Sequence, residues 1–124
     1  MSVSAEYLAY IQDLLCDVPD VSVKAFFGGK SLRSRYRVSP EGEYQEQLEE
    51  IQFAMIIDDV LYFVVDDQSR PKYETLGMTP FEYEKKTGTV KVRKFYTAPE
   101  SCFEDQDVMH EWAKEALQAA SRSQ

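Results

Sequence analysis

Histidine occurs once in these 124 residues, tryptophan once, cysteine twice, and glycine and proline five times each. Each scarcity closes off a kind of chemistry. A single imidazole, His110, cannot assemble a His/Cys zinc site, and there is no C-x-x-C pair to stand in for it. A catalytic histidine needs a nucleophile or an orienting carboxylate in reach, and neither G-x-S-x-G nor His-x-x-x-His accompanies this one. His110 therefore reads as a surface residue of the last helix, near Glu111. Cys16 and Cys102 fit a reducing compartment and read as structural thiols, Cys16 among the apolar positions of the first helical segment. No apolar run approaches the roughly 20 residues that cross a bilayer. Ser2, Ser4 and Glu6 stand where a secretory leader would be basic and then apolar. The expectation is a cytoplasmic chain with no membrane partner, no cofactor and no metal.

What is present is an ordinary globular composition, 44% apolar, with eight tyrosines and seven phenylalanines. At this length the expectation is one domain spanning 1–124. Formal charge is −8 and unevenly placed. Five bases and no acid lie between Lys24 and Arg37, five acids and no base between Glu41 and Glu50, and again five bases and no acid between Lys85 and Lys94. A surface of net negative sign disfavours non-specific binding of polyanions.

Local pattern orders the chain. Tyr7, Leu8, Ile11, Leu14 and Leu15 make one stripe of a helix over 4–17, with Ser4 as cap. Val21–Phe27 is β-favouring, Gly28-Gly29 permits a turn at positive φ, and Leu32–Val38 is a strand with its bases toward solvent. After the Ser39-Pro40-Glu41-Gly42 turn, Glu43–Glu50 fits either a helix or the returning arm of a long hairpin. Gln52–Ile57 and Val60–Asp66 are nearly all apolar strands around Asp58-Asp59, a two-residue hairpin covered on both faces. A short helix capped by Asp67 or Ser69 carries Pro71 in its first turn and ends at Gly77. Phe81–Lys86 and Thr89–Thr97 form a second hairpin across Thr87-Gly88, and 99–104 connects to a last helix capped by Asp105. Val108, Met109, Trp112, Ala113, Ala116, Leu117 and Ala120 line one face of that helix. The fold class is α+β: a two-layer domain with an antiparallel sheet of about five or six strands and N-terminal, middle short and C-terminal helices largely on one face.

Four groups of residues invite a functional reading. Gly28-Gly29 beside Lys30 resembles an anion cradle, but strand sequence follows where a phosphate loop would feed a helix. Asp58, Asp59, Asp66 and Asp67 lack the alternation and glycine of a calcium loop, and read as turn and cap residues. Trp112 reads as a core anchor between the last helix and the sheet. The strongest candidate is the basic strand. Alternation places Lys91 and Arg93 on one face and Val90 and Val92 on the other. With Lys85, Lys86 and Lys94 they form a patch suited to an acidic partner or a phosphate backbone, or else a solvated edge strand.

These pieces, in order, resemble a known family. Phe27-Gly28-Gly29, Phe53-Ala54, Asp58-Asp59, Leu61-Tyr62 and Asp66 are followed by Arg70, Tyr73-Glu74, Gly77, Pro80-Phe81 and Tyr83. Tyr96, Pro99, Asp105, Trp112 and Ala116-Leu117 complete the set. Each is weak alone; the ordered series is similar to the TfoX N-terminal domain family. Phe26, Val64 and Phe95 depart from it, and the stretch from about Arg35 to Glu50 is longer than the family's usual turn. Longer members carry a second, helical domain with no counterpart in these residues. The resemblance implies structural roles for Phe27, Gly28, Gly29, Phe53, Tyr62, Gly77, Pro80, Phe81, Tyr83 and Trp112. It also implies a fold like that of secretion chaperones and a link to the regulation of DNA transformation competence.

The functional expectation is a non-enzymatic regulatory or adaptor domain that acts through protein contacts, the transcription machinery being one candidate partner. Direct nucleic-acid binding through Lys85–Lys94 and a chaperone-like binding module are the alternatives. Oligomeric state stays open, with a homodimer among the options.

Overall fold

The structure is a computed structural model that describes residues 4–26 and 28–123. It opens with helix α1 (Ala5–Leu14), followed by strands β1 (Val21–Phe26), β2 (Gly29–Val38), β3 (Tyr44–Ile57) and β4 (Val60–Val64). Helix α2 (Arg70–Thr75), β5 (Pro80–Lys85) and β6 (Gly88–Thr97) come next. A 3₁₀ turn at Glu100–Phe103 then leads into α3 (Gln106–Arg122). One six-stranded sheet has the order β1-β2-β3-β4-β6-β5, with every neighbouring pair antiparallel. The α+β class and the helix–strand order match the reading of the sequence. Glu43–Glu50 proves to be the hairpin arm: β3 starts at Tyr44, pairs with Tyr36–Val38, and its register with β2 shifts before Ile51.

Local chemistry sets the ends. Ser4 Oγ accepts from Tyr7 N–H at the start of α1, and Asp105 accepts from Asp107 and Val108 N–H at the start of α3. Asp58 and Asp59 both have positive φ, 53° and 57°, the geometry of a type I′ hairpin turn. Gly77, at φ 80°, ends α2 with the paired Gly77 N–H to Glu74 C=O and Met78 N–H to Tyr73 C=O bonds of a Schellman motif. Ser69 holds the N-cap position of α2 without capping it; Asp67 pairs with Arg70 instead. Of the two turn glycines, only Gly28 has positive φ. Gly29 lies within β2 for a different reason: a Cβ there would sit 2.1 Å from the Ile56 carbonyl oxygen. Phe27, the first residue of that motif, lies outside the described residues.

Residues facing each other across strands share a face of the sheet. Leu32, Ala54, Phe63 and Tyr96 are linked in this way, as are Ile56 and Leu61, and all six are buried. This is the helix-bearing face. Tyr96 touches Tyr73 of α2, Tyr73 touches Trp112 of α3, and α3 lies along β2, β3 and β4 with α1 beside it. Ala113, Ala116, Ala119 and Ala120 are buried on α3, and their small side chains let the helix approach closely. Trp112 is half-buried, packs against the core, and meets α2: its ring meets Tyr73 edge-on at 5.0 Å and lies under Lys72 Nζ at 4.8 Å.

Met55, Tyr62, Val64, Phe95 and Thr97 belong to the opposite face. Phe26 of β1 and Phe95 of β6 are separated by three strands in the sheet order, yet their rings are 6.4 Å apart. In a flat sheet the two strands would stand roughly 19 Å apart. The sheet is therefore strongly curled, concave on the side away from the helices.

Candidate functional site

The concave face holds a cavity of about 390 Å³ lined by Phe26, Met55, Phe81, Tyr83, Val92 and Phe95. Its walls come from four strands. Phe26 ends β1, Met55 comes from the apolar half of β3, Phe81 and Tyr83 alternate on β5, and Val92 and Phe95 come from β6. Val92 and Phe95 are three residues apart, so plain alternation would set them on opposite faces. The irregular pairing of β5 with β6, where Pro80 faces Tyr96 but Phe81 faces Val92, brings both into the cavity. Tyr62 braces Phe81 edge-on at 5.4 Å, and Phe81 stacks beside Tyr83 at 6.1 Å. Tyr83 is 40% exposed, so this wall opens to solvent.

Lysines stand at the rim. Lys85 Nζ lies 5.8 Å from the Tyr83 ring centroid, and Lys94 Nζ lies 5.8 Å from that of Phe95. Lys86 is exposed in the two-residue loop that joins β5 to β6. The five-residue basic group expected from the sequence does not form one patch. Arg93 pairs with Glu74 at 3.2 Å, and Lys91 faces Glu82 across the strand pair. Val90 and Val92 take the other side of β6, as alternation requires, so Lys91 and Arg93 point away from the cavity. No lining residue of the cavity is a thiol, a carboxylate or an imidazole. Such a site suits an apolar side chain whose flanks are acidic.

Other singled-out residues have local structural partners. His110 is not a free surface group: its Nε2 lies 2.8 Å from the Tyr44 hydroxyl, and the two rings stack at 6.0 Å. Burial pushes the Tyr44 hydroxyl up to about 12. Cys16 is exposed, contrary to expectation, because it lies in the turn after α1, where it accepts from Gln106 Nε2 at 3.0 Å. Cys102 is buried, and burial raises its thiol to about 12, so it remains an inert thiol. Asp59 accepts from Ser4 N–H, tying the start of α1 to the β3–β4 turn.

Asp66 organises the loop before α2. Its carboxylate receives Arg122 Nε at 2.5 Å and Nη2 at 3.0 Å, together with the N–H groups of Gln68 and Ser69. The guanidinium hydrogen bond is the main reason its pKa falls to about 2. Of the bases expected to face solvent on β2, Arg35 is exposed, whereas Arg37 is half-buried with its Nε covered and unpartnered among the described residues. Among the described residues no group of three His, Cys, Asp or Glu is placed to hold a metal, and no helix is long and apolar enough to cross a membrane.

The sequence reading named Phe81 and Tyr83 as structural motif residues but missed the cavity they line. Phe26 and Met55 lie far from them in the chain, and only the curl of the sheet joins the four. Compared with known families, residues 43–120 match the model of the TfoX N-terminal domain. The Gly28-Gly29 turn precedes the matched span. No curated protein matches the chain.

Proposed function

On the premise that this chain belongs to the TfoX N-terminal domain family, we propose that it is a non-enzymatic regulatory or adaptor domain whose working surface is the concave, lysine-rimmed cavity. The observation that carries this reading is the uncovered aromatic cavity itself. Both long helices pack on the other face, so Phe81, Tyr83 and Phe95 form an apolar wall for which the fold supplies no lid among the described residues. The partner is a protein segment that places one leucine or aromatic side chain in the cavity and acidic residues against Lys85, Lys86 and Lys94. Burying such an anchor contributes about 1.5–3 kcal/mol. The rim charges add on-rate and orientation more than affinity. The family's connection with transformation competence supports a regulatory setting for that contact.

Direct nucleic-acid binding through the basic strand has less behind it. Arg93 of the five cations is paired with Glu74, Lys91 stands opposite Glu82 in the strand register, and the net charge of −8 repels a polyanion. A peptide library displayed on phage, selected on the intact chain and counter-selected on Tyr83→Asp, tests the docking reading. Enrichment of a single leucine or aromatic residue flanked by Asp and Glu, with at least tenfold weaker binding to the variant, is expected. Enrichment of basic peptides, or equal binding to both chains, refutes it.

A further inference from the structure

The exposed leucine of β3 has the chemistry that the cavity calls for. Between the pairs Tyr36↔Glu46 and Ser34↔Ile51, β2 contributes one residue, Arg35, and β3 contributes four, Gln47 to Glu50. Four residues opposite one cannot stay in the ladder, so the strand bows outward. Gln47 closes the bow, its Nε2 donating to the Glu49 carbonyl at 2.8 Å. At the other end Glu50 is pinned by Lys24 and by the Ser22 hydroxyl. What the bow presents is Leu48, 91% exposed, with Glu46 and Glu49 exposed beside it. Leu48 is far more exposed than any other large apolar side chain among the described residues, the next being Leu76 at 52%. An apolar side chain held out in this way has no stabilising role in its own subunit.

We infer that the bowed segment of one copy docks in the cavity of a second copy, Leu48 entering between Phe81, Tyr83 and Phe95 while Glu46 and Glu49 meet the rim lysines Lys85, Lys86 and Lys94. Charge complementarity selects this occupant: the acidic run belongs to β3 and the basic rim to β5, β6 and their loop, and the bow carries one apolar residue, Leu48, between Glu46 and Glu49. The segment cannot fill its own cavity, because β3 is fixed in the sheet by pairing with β2. The contact joins one surface to a different one, so the rotation between copies sets whether it closes reciprocally or repeats head to tail. This inference rests on the docking reading of the cavity. It adds that self-association occupies the cavity and competes with any other partner for it.

Sedimentation of the full chain, with two variants, decides the matter. Leu48→Ser removes the bow's anchor and Tyr83→Asp spoils the cavity; both positions are exposed, so both chains should fold. The wild type should associate as its concentration rises toward ~1 mM, where a contact of about 4 kcal/mol is half-formed. Added salt should weaken that association. Each variant alone should stay monomeric at concentrations where the wild type associates. Mixed in equal amounts, they should form a one-to-one dimer that grows no further, because one supplies an intact cavity and the other an intact bow. A wild type that remains monomeric, variants that still associate, or a mixture that gives no dimer each overturn the inference. If the peptide selection succeeds while these chains stay monomeric, the docking reading stands and only the self-contact falls.

Discussion

At the scale of single residues, Asp66 shows how one side chain can serve three elements. It accepts both donors of Arg122 from the end of α3 and the two backbone N–H groups that lead into α2, while its own segment continues β4. Because the folded-state pKa lies at about 2, below the ordinary carboxylate value, its contribution is present at neutral pH and is lost as pH falls from about 4 toward 2. Asp66→Asn should lower stability by about 1–3 kcal/mol at pH 7, read by urea denaturation. The variant should also show a flatter loss of stability than the parent between pH 4 and 2. Equal acid limbs in the two proteins would assign that loss to other carboxylates. The sequence placed Asp66 at the end of a strand; its partner lies 56 residues away on another element.

At the scale of elements, the β3–β4 hairpin is the most strongly specified part of the chain, and its turn shows why. Two adjacent aspartates at positive φ would be costly for most residues, roughly 1–2 kcal/mol each, and are tolerated because short polar side chains favour that region. Asp58→Ala should therefore melt several degrees below Asp58→Gly in thermal unfolding, although neither removes a hydrogen bond described for Asp58. Identical melting temperatures would mean that the turn geometry contributes nothing. The flanking strands were legible because Phe53–Ile57 and Leu61–Val64 are continuous apolar runs, as strands covered on both faces must be. The arm from Tyr44 to Glu50 was not, since its glutamates and glutamines favour helix locally while pairing with Tyr36–Val38 holds it as strand. Tertiary pairing overrides propensity there, and the register shift beside Leu48 marks where the two strands fall out of step.

At the scale of the whole molecule, the two faces of one sheet have different fates. One is closed by α1, α2 and α3; the other curls on itself and leaves an aromatic cavity open. A native protein with that cavity should bind a fluorescent apolar anion such as anilinonaphthalene sulfonate at neutral pH with a stoichiometry of one. The sulfonate would lie near the rim lysines. Tyr83→Asp should abolish the fluorescence gain without altering far-ultraviolet circular dichroism. Dye binding that persists undiminished in Tyr83→Asp would place the accessible apolar surface elsewhere, for example beside Pro71, Leu76 and Trp112, where a second cavity of about 380 Å³ lies.

Sequence alone determined every element but the Tyr44–Glu50 arm of β3, together with the antiparallel class, the family and most of the caps, because each depends on residues within a few positions of one another. The turn aspartates, the Schellman glycine and the helix-capping Ser4 and Asp105 all act on neighbours. Tertiary structure decided the rest. Curling the sheet brought Phe26 to Phe95, an irregular strand pair turned Val92 and Phe95 to one side, and Glu74 paired with Arg93 of the five clustered bases. Sequence pattern records which residues leave water, but the curvature that gathers them, and the side on which a cavity opens, follow from strand register and helix packing across the whole chain.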